Sequence, residues 1–198
     1  MSIDPGLLRS VMAAYPTGVT IVTSGHDGAH CGMAANSFTS VSLDPPIVLV
    51  CSQIGARTAE AAKASGRFAI HLMAHDQVDH VRAFVGRDAA RFAAVPHDLD
   101  PGGLPILRHW LALLVCSVHQ VSEVGDHEVL FGHVERCERR DDAPLLFHDS
   151  ALRMLPRLPA IRASGPGVLI DDEMDLNDPL VRVLAPARVV QEEERRAQ

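Results

Sequence analysis

The sequence predicts a mainly β protein, an antiparallel, Greek-key-like β-barrel with short flanking helices. Residues 110–124 and 128–136 are the two longest strand candidates, joined at Gly125-Asp126. Residues 18–24 are rich in β-branched side chains and run through the turn Gly25-His26-Asp27-Gly28 into a second strand over 29–38. Helical patterns seldom separate these strands, which favours hairpin connections over a layered βαβ sheet.

Along the chain, Asp4 is placed to cap a short helix with Pro5 at its first position. Leu7, Leu8, Val11 and Met12 give that helix an apolar stripe before Tyr15-Pro16 ends it. The stretch 32–52 is the organising segment of the chain. Small and hydroxyl residues fill its first half, Pro45-Pro46 makes a corner, and residues 47–51 form a buried strand. Residues 58–65 are an Ala-rich helix closed by Gly66. Another strand covers 67–73, and a helix over 76–84 has Gly86 as its stop. Residues 87–105, with Pro96, Pro101, Gly102, Gly103 and Pro105, lack periodicity and read as mostly loop. Residues 144–148 are a short final strand. The predicted organisation is a barrel domain over 1–160 and a Pro-rich, acidic C-terminal extension over 161–198, partly disordered or packed on a partner subunit.

With 198 residues the chain is long enough to bury a substantial core in one domain. A formal charge of -7 argues against a nucleic-acid surface, and 4% aromatic content leaves few platforms for stacking bases. Cys31, Cys51, Cys116 and Cys137 are widely spaced among strand-like residues, so buried thiols in a reducing compartment are expected rather than a disulfide frame. The chain opens without a positive-then-apolar leader and has no apolar run near the roughly 20 residues that span a bilayer. A cytoplasmic protein with no membrane partner is the expectation.

The chemistry is narrowed by what is missing. No Gly-x-Gly-x-x-Gly follows a strand, and neither a phosphate loop ending in Gly-Lys-Ser/Thr nor a Gly-x-Ser-x-Gly elbow is present. His71 and His75 straddle a strand end, and His127 and His133 are six residues apart, roughly 20 Å along a strand. No resident metal is expected. An anionic cofactor suits the chain better. Asn36, Ser37, Ser40 and Ser42 offer short polar groups, while Ser52, Arg57 and Thr58 come after a strand at a helix start, where unpaired amides favour negative charge. Two readings stand there: Thr58 caps its helix beside a solvated Arg57, or both surround a phosphate. His127 comes just after a turn, and strand alternation argues against its pairing with Asp126. Arg91-Phe92 is either a cofactor clamp or a surface arginine beside a core phenylalanine.

Several ordered motifs converge on one family. They are residues 16–23 (PTGVTIVT), residues 32–46, Arg57-Thr58, Ser65-Gly66-Arg67-Phe68-Ala69, Phe84 with Gly86, Arg91-Phe92, Gly125-Asp126-His127 and Gly132-His133-Val134. From Tyr15 to about Leu155 the chain resembles the flavin reductase-like proteins, reductase components of two-component flavin-dependent monooxygenases with an FMN-binding split-barrel fold. The resemblance implies that Ala34, Ala35, Asn36 and Ser37 line the flavin ring and ribityl chain, with Ser40 and Val41 in the turn beyond. It implies that Cys51, Ser52 and Gln53 run beside the ribityl and phosphate, that Ala56, Arg57, Thr58 and Arg91 bind phosphate, and that His127 stands near the nicotinamide. It further implies FMN or FAD as flavin, NADH (or NADPH) as hydride donor, a homodimer, and a partner monooxygenase that receives reduced flavin. A flavin-binding storage or electron-transfer protein without turnover is the alternative. Two departures stand out: the family usually has threonine where this chain has Ala34 and serine where it has Ala56. At about 0.5 to 1.5 kcal/mol per hydrogen bond, losing both weakens binding by roughly 5-fold to somewhat over 100-fold unless other groups substitute.

Overall fold

The structure, a computed structural model, describes residues 3–85 and 91–155. The expected stop at Gly86 and the expected extension over 161–198 lie outside the described residues. Helix α1 (Pro5–Ala13) leads into β1 (Thr17–Gly18), β2 (Thr20–His26), β3 (Ala29–Ala35), β4 (Thr39–Leu43) and β5 (Pro46–Gln53). Then come α2 (Arg57–Ser65), β6 (Arg67–Leu72), α3 (Val78–Phe84), α4 (Arg91–Ala94), β7 (His97–Leu99) and β8 (Pro105–Leu107). The long hairpin β9 (Ala112–Val124) and β10 (His127–Arg139) is followed by β11 (Leu145–His148) and β12 (Ala151–Met154).

Seven strands form one antiparallel sheet in the order β3-β2-β6-β9-β10-β5-β4. Side chains alternate across it, as the two-residue period of a strand requires. Phe68, Ile70, Cys116, Val22, Val48, Val50 and Leu130 join Ala59 and Ala62 of α2 in one buried cluster. Because β2 and β5 are separated by three strands yet share that cluster, the sheet must curl around it. The intervening positions Ile21, Ala69, Leu113 and Val115 face the opposite way and pack with Val81, Phe84, Trp110 and Leu145. The result is an open, split barrel whose two free edges, β3 and β4, are consecutive in the chain.

Local signals explain most of the elements. Asp4 Oδ2 accepts from the Leu7 N–H at 2.8 Å and caps α1. Gly66, at φ +73°, ends α2 in the left-handed conformation that glycine adopts without penalty. The apolar stripe of α1 is not buried: Leu7, Leu8, Val11 and Met12 are all exposed. Only Cys116 among the four free cysteines is buried; Cys31 and Cys51 are half-buried and Cys137 is exposed, which corrects the expectation of buried thiols. The stretch read as loop holds α4 and the β7–β8 hairpin. Asp100 organises that hairpin, its carboxylate accepting from Gly102 N–H at 2.8 Å and Leu104 N–H at 2.9 Å, a turn device without periodicity. Strand β12 also comes after β11, the strand expected to be last, and pairs with it through Leu145↔Met154 to His148↔Ala151.

One buried polar residue ties three elements together. The His71 ring is fully buried; its Nδ1 donates to Ile21 O at 3.0 Å, and its Nε2 accepts from Leu107 N–H at 3.1 Å. This pattern requires the neutral ring, and burial pushes its pKa down from 6.5 to about 4. The unfolded chain therefore takes up a proton below about pH 6.5 that the folded chain refuses until about pH 4. The stabilisation is complete above the unfolded value and is lost as pH falls towards the folded one, about 3 kcal/mol in all. Urea unfolding between pH 7 and pH 4.5 is expected to show stability falling by up to that amount, with the His71 ring still neutral by NMR at pH 5. A ring that titrates near 6.5 in the folded protein contradicts this.

Candidate functional site

The connection between the two edge strands is tied to β5 by a single hydroxyl. Strand β4 pairs with β5 from Leu43↔Pro46 to Thr39↔Leu49, and the continuation of that register sets Ser37 opposite Cys51. Ser37 Oγ accepts from Cys51 N–H at 3.0 Å and donates to Cys51 O at 3.1 Å, replacing one rung of the ladder. Beyond it no residue of β4 covers β5, and a cleft of ≈ 960 Å³ opens between the β3 edge and the β5–α2 connection. That volume is at the upper end for a small-molecule site.

One wall is residues 30–37, the other residues 51–58, with Arg91 and His127 completing it. Ala34, Ala35, Asn36, Ser37, Cys51, Ser52, Gln53, Ala56, Arg57, Thr58, Arg91 and His127 are thus brought together as expected. Ser40 and Val41 are not. A bulge between Ser40↔Val48 and Ser42↔Ile47 leaves Val41 as the extra residue on β4, half exposed and away from the lining. Asn36 stands at the corner where the cleft meets two smaller cavities, one of them a largely apolar pocket bounded by Val19, Val81 and Phe147.

The phosphate-binding expectation meets a suitable helix end. Ala56 is the N-cap of α2 and provides no side-chain hydrogen bond, so the first-turn amides have no capping oxygen from it. The reading in which Thr58 caps the helix is therefore set aside: it is the second helical residue and is almost fully buried. Among the described residues the lining contains two arginines and two histidines and no carboxylate, a balance that favours an anionic ligand.

Three groups differ from expectation in their partners. Ser52 is buried, with its hydroxyl turned to Glu128 Oε1 at 3.4 Å rather than offered to a ligand. Arg91 is buried as well. Its Nη1 donates to Gly32 O, and its guanidinium carbon lies 5.9 Å from the centre of the Phe84 ring. His127 does pair with Asp126, Nδ1 to Oδ1 at 2.7 Å. Asp126 belongs to the turn and not to β10, so strand alternation does not separate the two side chains. The hydrogen bond from His127 holds the Asp126 carboxyl below its usual range.

His30, Met33, Ile54 and Gly55 also line the cleft. His30 meets Phe92 edge-on at 5.8 Å and His97 at 5.8 Å, a cluster assembled from β3, α4 and β7 that no local pattern announces. Gly32 is required by close approach, since a Cβ there would lie 2.4 Å from Phe84 Cε1. His75, Asp76 and Asp142 bring possible metal-ligand atoms within 4.8 Å of one another, with the two carboxylates exposed and none of the three in the cleft.

A split barrel with a polar, cationic cleft at its open edge defines a cofactor- or nucleotide-binding class, and comparison with known proteins names the family. Residues 12–156 match the flavin reductase like domain, and the chain belongs to that family. It is 40% identical over 148 residues to the reductase subunit HsaB of a flavin-dependent monooxygenase from Rhodococcus jostii, covering 74% of this chain and 76% of that one. The fold matches the NADH:FAD oxidoreductase SgcE6 of Streptomyces globisporus, solved with NAD and FAD fragments, with a TM-score of 0.75 and 33% identity over 81% of this chain and 99% of that one. It also matches a nitrilotriacetate monooxygenase component B homologue from Mycobacterium thermoresistibile, with a TM-score of 0.75 and 34% identity over 87% and 96% of the two chains.

Ser37→Ala removes both bonds to Cys51 and leaves a part-buried N–H and C=O without their partner. A loss of about 1 to 3 kcal/mol in urea unfolding is expected, with faster amide exchange at Cys51. Unchanged stability and protection would show that the hydroxyl does not hold the β3–β4 connection against β5.

Proposed function

We propose that this chain is an NAD(P)H-dependent flavin reductase that reduces FMN or FAD and supplies the reduced flavin to a partner monooxygenase. The observation that carries the reading is the cleft, where a wall of small residues faces a helix end that presents Arg57 and amides without a side-chain cap. In this reading Ala34, Ala35, Asn36 and Ser37 lie along the flavin ring and ribityl chain, with the Asn36 carboxamide offering both a donor and an acceptor. Cys51 and Gln53 run along the ribityl chain. Arg57, Thr58 and the first-turn amides of α2 take the phosphate, with Arg91 behind the opposite wall.

When bound there, the flavin accepts a hydride from the nicotinamide, a transfer that needs no side-chain nucleophile. The chain supplies alignment and a place for both rings. His127, with one nitrogen held by Asp126, is assigned to the nicotinamide side of the cleft, where its other ring nitrogen is available to orient the carboxamide. The lack of hydroxyls at Ala34 and Ala56 suits a protein that gives its flavin up.

The reading extends to a homodimer acting in the cytoplasm, with residues 1–160 as the reductase domain and 161–198 as an extension. The family match over residues 12–156 supports that boundary. None of the described helices is long and apolar enough to cross a membrane.

Anaerobic mixing of the protein with NADH and excess FMN or FAD is expected to bleach many equivalents of flavin per protein. Arg57→Ala is expected to raise the KM for FMN by about 5-fold to 50-fold, in line with one charge-assisted phosphate contact. Flavin binding without bleaching by either NADH or NADPH would make the protein a flavin carrier instead.

A further inference from the structure

Glu128 is 1% exposed, a nearly complete burial that a carboxylate seldom adopts without a purpose. It lies on β10 directly opposite Ser52 of β5, so the two side chains project from the same face of the sheet. Its Oε1 receives the Ser52 hydroxyl at 3.4 Å, and its Oε2 receives the Lys63 ammonium of α2 at 2.8 Å. Lys63 is one-third exposed and also meets Glu60 Oε1 at 2.6 Å, one helical turn back on the solvent side. The hydrogen bond it donates to Glu128 is the largest cause holding the Lys63 ammonium above its usual pKa. The charge pair therefore joins the strand that ends in the cleft to the helix whose first turn closes it.

We propose that Lys63 and Glu128 are a positioning pair that sets the charge of the cleft's phosphate end and so lets the protein favour a phosphorylated flavin over riboflavin; this rests on the flavin-reductase reading above. A carboxylate just behind Ser52 would repel a phosphate at the start of α2. Lys63 stands between that carboxylate and Glu60 in the first turn of α2 and offsets one of the two negative charges, so its loss would leave both to oppose a phosphate at the first-turn amides and Arg57. Neither residue touches the cofactor. Both act through the field and through the placement of α2 against β10.

The two single substitutions have opposite expected signs. Lys63→Met leaves the carboxylate uncompensated and is expected to weaken FMN binding by about 5-fold to 20-fold, a range set by one unit charge at intermediate dielectric. Riboflavin, which has no phosphate, is expected to change by less than about 2-fold on the same scale. Glu128→Gln keeps an acceptor for Ser52 and leaves the Lys63 charge in place, so FMN affinity is expected to hold or rise while riboflavin is unchanged. The double substitution is expected to return to within about 2-fold of the parent for FMN, as two cancelling charge changes should.

Fluorescence titration of each protein with FMN and with riboflavin at low salt reads these values, and circular dichroism reports whether each variant folds. A purely structural pair would weaken both ligands in both single variants, and that result overturns the proposal. If Lys63→Met does not fold, Glu128→Gln decides alone: FMN affinity held or raised supports the pair, and FMN affinity lowered overturns it. A parent protein that binds neither FMN nor riboflavin would instead overturn the flavin-reductase reading, a different failure from equal losses in the variants.

Discussion

The architecture depends on Ser37 taking the place of a strand. A seven-stranded sheet that curls around α2 brings its edges near each other, and a continuous ladder between them would close the barrel and leave no site. The Ser37 hydroxyl satisfies the N–H and C=O of Cys51 at the last position before the edges part. The split can therefore exist without leaving those part-buried backbone groups unpaired, which would otherwise cost about 1 to 3 kcal/mol. The same crossover carries Ala34, Ala35 and Asn36 onto one wall of the opening. Topology and ligand site are thus consequences of one short polar segment.

Much of this was legible from the residues. The hairpins at Asp27-Gly28 and Gly125-Asp126 carry turn chemistry and strand composition together, and the helix over Arg57–Ser65 has both its composition and its glycine stop. The small β7–β8 hairpin was not legible. Its strands are three residues each, and the turn between them is organised by the Asp100 side chain rather than by a repeating pattern. The α1 stripe has helical periodicity, but periodicity cannot tell a covered face from an uncovered one. The cleft walls were found because the motifs fall on both sides of the split, at 34–37 and 51–58. Ser40 and Val41 lie outside the cleft lining, next to a bulge in β4, and a bulge in a Ser-rich strand leaves no sequence trace. His30 failed for another reason: its neighbours Phe92 and His97 reach it only through the tertiary fold.

Electrostatics connects the fold to the chemistry. The chain as a whole is acidic at -7, yet the cleft lining has no carboxylate among the described residues. Acidic groups on the adjoining elements are engaged: Asp126 with His127, Glu60 with Lys63, and Glu128 with Lys63 and Ser52. Such local inversion of charge favours an anionic ligand in the opening of a chain that is acidic as a whole.

A structure of the protein with bound flavin is the decisive test of the cleft. The isoalloxazine ring is expected against residues 34–36, with the phosphate within hydrogen-bonding distance of the amides that begin α2. A well-ordered flavin at any other place, with the opening between β3 and β5 left unfilled, would contradict the assignment.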